Sequence, residues 1–125
     1  MKTIKQTYSV NAPVHKVWQA LVDPKLIEVW SEAPADMKAE EGYKFSLWDG
    51  DFHGTNTKIV KDKLLEQDWF GGAWDEPSKV RFELATKGSK TEVRLIQTNV
   101  PDIDAADIDD GWKEYYLGPL QAMFT

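Results

Sequence analysis

The sequence predicts an α+β fold: one strand, two short helices, six consecutive strands and a long C-terminal helix. Three observations predict it. Apolar residues fall at helical spacing from Val14 to Leu21, alternate with polar ones between Ala35 and Gln97, and return to helical spacing from Trp112 to Phe124. Consecutive strands joined by tight turns make an antiparallel meander with one buried face.

Each element follows from its pattern. Ile4, Gln6, Tyr8 and Val10 share one parity of a first strand, with Thr3, Lys5, Thr7 and Ser9 on the other. Asn11-Ala12-Pro13 ends it, with Pro13 expected at the first helical position and Asn11 or Ala12 as the cap. Val14, Val17, Trp18 and Leu21 then form an inward stripe, while His15, Lys16 and Gln19 face water. Asp23-Pro24 breaks this helix, and Leu26, Ile27, Val29 and Trp30 suggest a second. From Ala35 the period is two. Tyr43, Phe45 and Leu47 alternate, and Asp49-Gly50 carries a hairpin-turn signal. Strands follow from Phe52 to about Lys61 and from Leu64 to Phe70. After a loop at 71–77, Val80, Phe82 and Leu84 alternate, and a turn at Lys87-Gly-Ser-Lys90 leads into Thr91, Val93, Leu95 and Gln97. In the strand after Phe52 the inward parity stays open, because Ile59 and Val60 are adjacent. Trp112, Tyr115, Tyr116, Leu120, Met123 and Phe124 mark the closing helix, where Gly118-Pro119 predicts a kink that frees the Tyr115 carbonyl.

Composition narrows the function. The 125 residues carry 15 basic and 21 acidic side chains, a net charge of −6, and residues 99–125 alone hold one Lys against five Asp and one Glu. No broad cationic face is available for nucleic acid. Cysteine is absent, which excludes disulfides and thiolate chemistry and fits a cytoplasmic setting. No stretch is apolar and long enough for a membrane span, and the length suits a single domain. Six Trp, four Tyr and five Phe beside two His favour a protein that grips an apolar molecule over one with a compact catalytic apparatus.

Several short words then stand in order: Val10-Asn-Ala-Pro13, Val17-Trp18-Gln-Ala-Leu21, Asp23-Pro24 with Trp30, and Gly42-Tyr-Lys-Phe45. Trp69, Val80-Arg-Phe82, Thr91-Glu-Val93-Arg-Leu95, and Gly111-Trp112-Lys-Glu-Tyr115-Tyr116-Leu117 with Leu120 complete the series. In these the chain resembles the START-like (SRPBCC, helix-grip) superfamily, and within it the heat-shock-protein ATPase activator homologue domain. The resemblance covers residues 1–125 as one domain. It implies a seven-stranded antiparallel sheet wrapped around the C-terminal helix, with an internal cavity that in many relatives takes an apolar ligand. It also implies two alternatives, a co-chaperone that stimulates a heat-shock-protein ATPase and an enzyme of the cyclase or hydratase kind.

The residue pattern supplies a candidate ligand site. Phe45, Leu47, Trp69, Val80, Phe82, Leu84, Val93 and Leu95 would line one wall, and Trp112, Tyr116 and Leu120 the other. Polar candidates are His53, Thr55, Thr57, Gln97 and the Tyr116 hydroxyl, because apolar pockets carry a few placed polar groups. Apolar periodicity reports burial and does not separate a filled core from an open cavity. His53 is the one histidine placed to face inward, with an imidazole suited to acid/base work. No partner for it is identifiable, so no catalytic residue is assigned. The run from Asp102 to Asp110 fails the spacing of a calcium loop: counting back from Gly111 places Ala106 and Ile108 where oxygen ligands belong. It reads instead as a helix start, with carboxylates capping free N–H groups and facing the positive end of the dipole. The expected partner is a small apolar or amphipathic molecule or a heat-shock chaperone, with no metal and no cofactor. The aromatic-tipped glycine loop ending at Trp74 could gate the cavity mouth or contact a partner.

Overall fold

A computed structural model describes residues 1–72 and 74–125. Strand β1 (Lys2–Val10) is followed by helices α1 (Val14–Val22) and α2 (Pro24–Ser31), then β2 (Ala35–Asp36) and β3 (Lys44–Leu47). A 3₁₀ turn at Trp48–Gly50 leads into β4 (Phe52–Val60), β5 (Leu64–Gly71), β6 (Ser78–Lys87) and β7 (Lys90–Val100). The chain closes with α3 (Ala105–Gly111), a π-helical turn (Trp112–Tyr116) and α4 (Leu117–Met123). Of the loop at 71–77, Ala73 lies outside the described residues.

The seven strands form one antiparallel sheet in the order β1-β7-β6-β5-β4-β3-β2. Every pairing after β1 joins chain neighbours, so the meander is the sheet, and β1 adds to its far edge on β7. Register stacks the inward side chains: Leu65 faces Phe82, Phe82 faces Leu95, and Leu84 faces Val93. Cross-strand pairs of this kind are the unit of sheet stabilisation. The opposite face is charged, with Arg81 bound to Glu66 at 2.7 Å and to Glu83 at 2.8 Å.

The helices cover the inward face. In α1, Val17, Trp18 and Leu21 are buried and Val14 is half-buried, as the stripe predicts, while His15 faces water. The proline expectation is corrected by one position: Pro13 is the extended residue before α1, with no side-chain cap, and Pro24 occupies the first turn of α2. There Asp23 caps the helix by accepting from the Lys25 N–H at 2.9 Å. Thr91 anchors the uncapped corner, its hydroxyl donating to the Ala12 carbonyl at 2.8 Å. Trp30 ties α2 to α1 by donating its indole N–H to the Ala20 carbonyl at 2.9 Å.

A register shift between Asn56 and Lys58 resolves the ambiguous parity of β4. Phe52, Gly54 and Asn56 face in before it; after it Ile59 pairs with the buried Leu65 and Val60 turns to solvent. Bulges insert one residue and so exchange the two faces.

The closing helix is interrupted, as Gly118-Pro119 predicts, and the interruption is a π turn. Tyr116 leaves helical geometry (φ −121, ψ −85) and the Leu117 N–H bonds to the Trp112 carbonyl. Gly118 is required there: a Cβ would sit 1.8 Å from the Lys113 carbonyl oxygen.

Candidate functional site

The interior between the sheet and the C-terminal helix is built on aromatic rings. The Tyr116 ring lies 4.6 Å from Trp30, 4.8 Å from Trp112 and 5.5 Å from Phe82, centroid to centroid. Trp69 joins Trp112 at 5.0 Å and Phe52 at 5.4 Å. Four of these pairs are tilted and Phe82 stacks on Tyr116; aromatic pairs at these distances are favourable beyond the area they bury.

Two buried polar chains hold these rings in place. In one, the Trp112 indole N–H donates to Gln97 Oε1 at 2.7 Å, Gln97 Nε2 donates to Ser78 Oγ at 3.0 Å, and Ser78 donates to the Thr98 carbonyl at 2.7 Å. In the other, the Trp69 indole donates to Gln67 Oε1 at 2.7 Å and Gln67 Nε2 to Asn56 Oδ1 at 2.9 Å. Asn56 Nδ2 reaches the Lys38 carbonyl at 2.8 Å and so fixes the segment before β3. The Tyr116 hydroxyl is buried without a hydrogen-bond partner among the described residues, and that burial pushes its pKa well above the ordinary tyrosine value.

Where this packing ends, a pocket of about 410 Å³ opens between sheet and helix. Phe52, Trp69 and Gln97 come from the sheet, and Trp48 and Asp51 from the turn before β4. Ile108, Trp112, Tyr115 and Tyr116 come from the closing helix, where the π turn displaces the spacing of the last three. A neighbouring cleft of about 650 Å³ shares Phe52 and Ile108 and is edged by Trp74, Asp75, Glu76 and Asp104.

The expected site residues divide. Trp69, Gln97, Trp112 and Tyr116 border the pocket. Phe45, Leu47, Val80, Phe82, Leu84, Val93, Leu95 and Leu120 are buried in the continuous core and do not line it. His53 is a correction: it is exposed on the outer face, where it stacks on Phe70 at 5.7 Å. The reason is parity, since Gly54 takes the inward position, held against the Asp68 backbone. Thr55 and Thr57 likewise lie off the pocket. The acidic run starts α3 as expected, but its carboxylates do not cap it. Asp104 accepts from the Trp74 indole at 2.9 Å, Asp102 pairs with the N-terminal ammonium at 2.8 Å, and Asp109 accepts from Gln6 at 2.7 Å. Trp74, at the loop tip, packs edge-on to Phe52 at 6.2 Å.

The pattern of apolar residues missed Asn56, Gln67 and Ser78, all buried. Gln67 carried a visible signal, a polar side chain on the inward parity between Leu65 and Trp69. Among pocket residues it missed Trp48, Phe52, Ile108 and Tyr115, which a turn, a strand start and a helix face bring together.

A seven-stranded antiparallel sheet folded around a C-terminal helix, with two short helices inserted after the first strand, defines the helix-grip class. The chain belongs to the family described as Activator of Hsp90 ATPase homolog 1-like proteins, whose model matches residues 11–125. It is 24% identical over 124 residues to the human activator of 90 kDa heat shock protein ATPase homolog 1, covering 98% of this chain and 36% of that protein. The Dictyostelium discoideum homologue is 24% identical over 127 residues, covering 99% and 33%. The chain thus spans about a third of the length of the curated relatives it matches. In fold it is similar to the crystal structure of an HSP90 activator from Plasmodium falciparum (TM-score 0.89, 22% identity, 98% and 96% of the two chains). It is also similar to the solution structure of the Aha1 dimer from Colwellia psychrerythraea (TM-score 0.85, 20% identity, 99% and 96%).

Proposed function

We propose that the protein binds a small apolar or amphipathic molecule in the pocket between the sheet and the C-terminal helix. The observation that carries this reading is a pocket of about 410 Å³ walled by Trp48, Phe52, Trp69, Trp112, Tyr115 and Tyr116. Small-molecule sites have this size and character. Each 100 Å² of ligand apolar surface removed from water contributes about 2.5 kcal/mol before the costs of association. Gln97 lies in the wall with both ends of its amide engaged, which keeps the Trp112 ring in one orientation. Displacement of a fluorescent apolar probe, with native mass spectrometry for stoichiometry, tests the reading. One probe per chain is expected, with uptake reduced by Ile108→Trp, which fills the pocket. No uptake, or uptake indifferent to that substitution, overturns it.

A second reading rests on family membership: a co-chaperone that stimulates the ATPase of a heat-shock chaperone by surface contact. The curated relatives carry that activity in their names, and this chain matches about a third of their length. ATPase rate against added protein, with a chaperone of the 90 kDa class, tests it. A rate unchanged at saturating protein counts against it.

A further inference from the structure

The pocket is one-sided in charge. Its most exposed lining residues are Asp51, Asp107 and Tyr115, with Trp48, Phe52, Ile108 and Gly111 half-buried, and neither carboxylate is held in an ion pair among the described residues. Among the described residues no Lys, Arg or His lines the pocket or the neighbouring cleft, where Asp75, Glu76 and Asp104 add carboxylates. The one cation at that cleft among the described residues, the Met1 ammonium, is held by Asp102 at 2.8 Å.

Behind this acidic mouth stand the rings of Trp48, Trp112 and Tyr115, and an aromatic face carries the negative side of the ring quadrupole. A cation within reach of Trp or Tyr faces is attracted, the more so as it leaves water. An anionic head group meets the opposite: carboxylates at the entrance and electron-rich faces beyond. Resting on the binding function proposed above, we infer that the pocket selects an organic cation, a small amphipathic molecule whose ammonium group lies between the Asp51 and Asp107 carboxylates and the Trp48, Trp112 and Tyr115 rings. Its apolar part continues toward Phe52 and Trp69.

The test uses three probes of one chain length, octyltrimethylammonium, octyl glucoside and octyl sulfate, titrated below micelle formation into the full chain by calorimetry. The cation is expected to bind about tenfold tighter than the neutral glucoside, and octyl sulfate more weakly than either. Because the carboxylates are exposed, the preference shrinks as salt rises. Asp51→Asn with Asp107→Asn brings the ratio of cation to glucoside affinity close to one. Glu66→Gln with Glu92→Gln, an equal charge change on the outer face of the sheet, keeps it. Equal or stronger binding of octyl sulfate overturns the inference, as does loss of the preference in the outer-face pair, which would assign it to net charge. If the three probes bind with equal affinity, the binding function stands and this inference fails; if none binds, both fail.

Discussion

Replacing Gln67 by Leu removes the centre of a buried polar chain while leaving its neighbours in place. Gln67 is 1% exposed and bridges two groups, accepting from the Trp69 indole at 2.7 Å and donating to Asn56 Oδ1 at 2.9 Å. Leu strands a buried N–H and a buried carbonyl oxygen, each at about 1–3 kcal/mol. The apolar side chain offsets part of that, because the Gln amide no longer has to be desolvated. The expected net loss is about 2–4 kcal/mol. Urea unfolding followed by far-UV circular dichroism measures it, with an unchanged denaturant slope showing that the fold is intact. The double variant Gln67→Leu with Trp69→Phe removes the stranded indole as well. It should be less destabilised than the sum of the single variants by about 1 kcal/mol or more. Stability equal to the parent, or strict additivity in the double variant, would refute the reasoning.

Gly118→Ala should cost about 1–3 kcal/mol or more, because its Cβ meets a backbone oxygen at 1.8 Å and backbone cannot step aside cheaply; a thermal melt at the parental midpoint would contradict this. Thr91→Val strands the Ala12 carbonyl and should cost about 1–3 kcal/mol by urea unfolding, whereas a neutral result would mean that the strand–helix corner is held by other contacts. Tyr8, half-buried, has its pKa pushed up to about 12, first by burial and second by the Asp109 carboxylate. An unfolded tyrosine ionises near pH 10, so between about pH 10 and 12 the unfolded state gives up a proton that the folded state keeps. Stability is therefore full below pH 10 and declines toward pH 12, and Tyr8→Phe should make that decline shallower; an unchanged slope would show that Tyr8 does not contribute.

The fold was legible where one pattern dominated. Val80, Phe82 and Leu84, facing Gln97, Leu95 and Val93, belong to antiparallel strands with one buried face, whose alternation has a single cause. Where two residues compete, as at Ile59 and Val60, the answer lay in a bulge, which depends on pairing with β5 and leaves no mark in local composition. His53 misled for a related reason. Its inward neighbour is Gly54, whose missing side chain hides the parity of the strand. Pro119 announced a break in the closing helix, yet its form as a π turn depends on how Trp112 and Tyr116 both reach the core. The pocket was legible only in part. Trp69 and Gln97 follow from strand parity and Trp112 and Tyr116 from helical spacing, but Trp48, Phe52 and Ile108 reach the same wall from a turn, a strand start and a helix face, a meeting that is a product of packing.

The six tryptophans offer the most direct test of the central claim that this pocket is a binding site. In a nitrogen-edited NMR titration with an apolar probe, the indole N–H signals of Trp48, Trp69 and Trp112, which line it, should move together and saturate. That of Trp18, buried on α1 away from the pocket, should stay still. Shifts confined to Trp18, or no shift in the three pocket signals at saturating probe, would contradict the account.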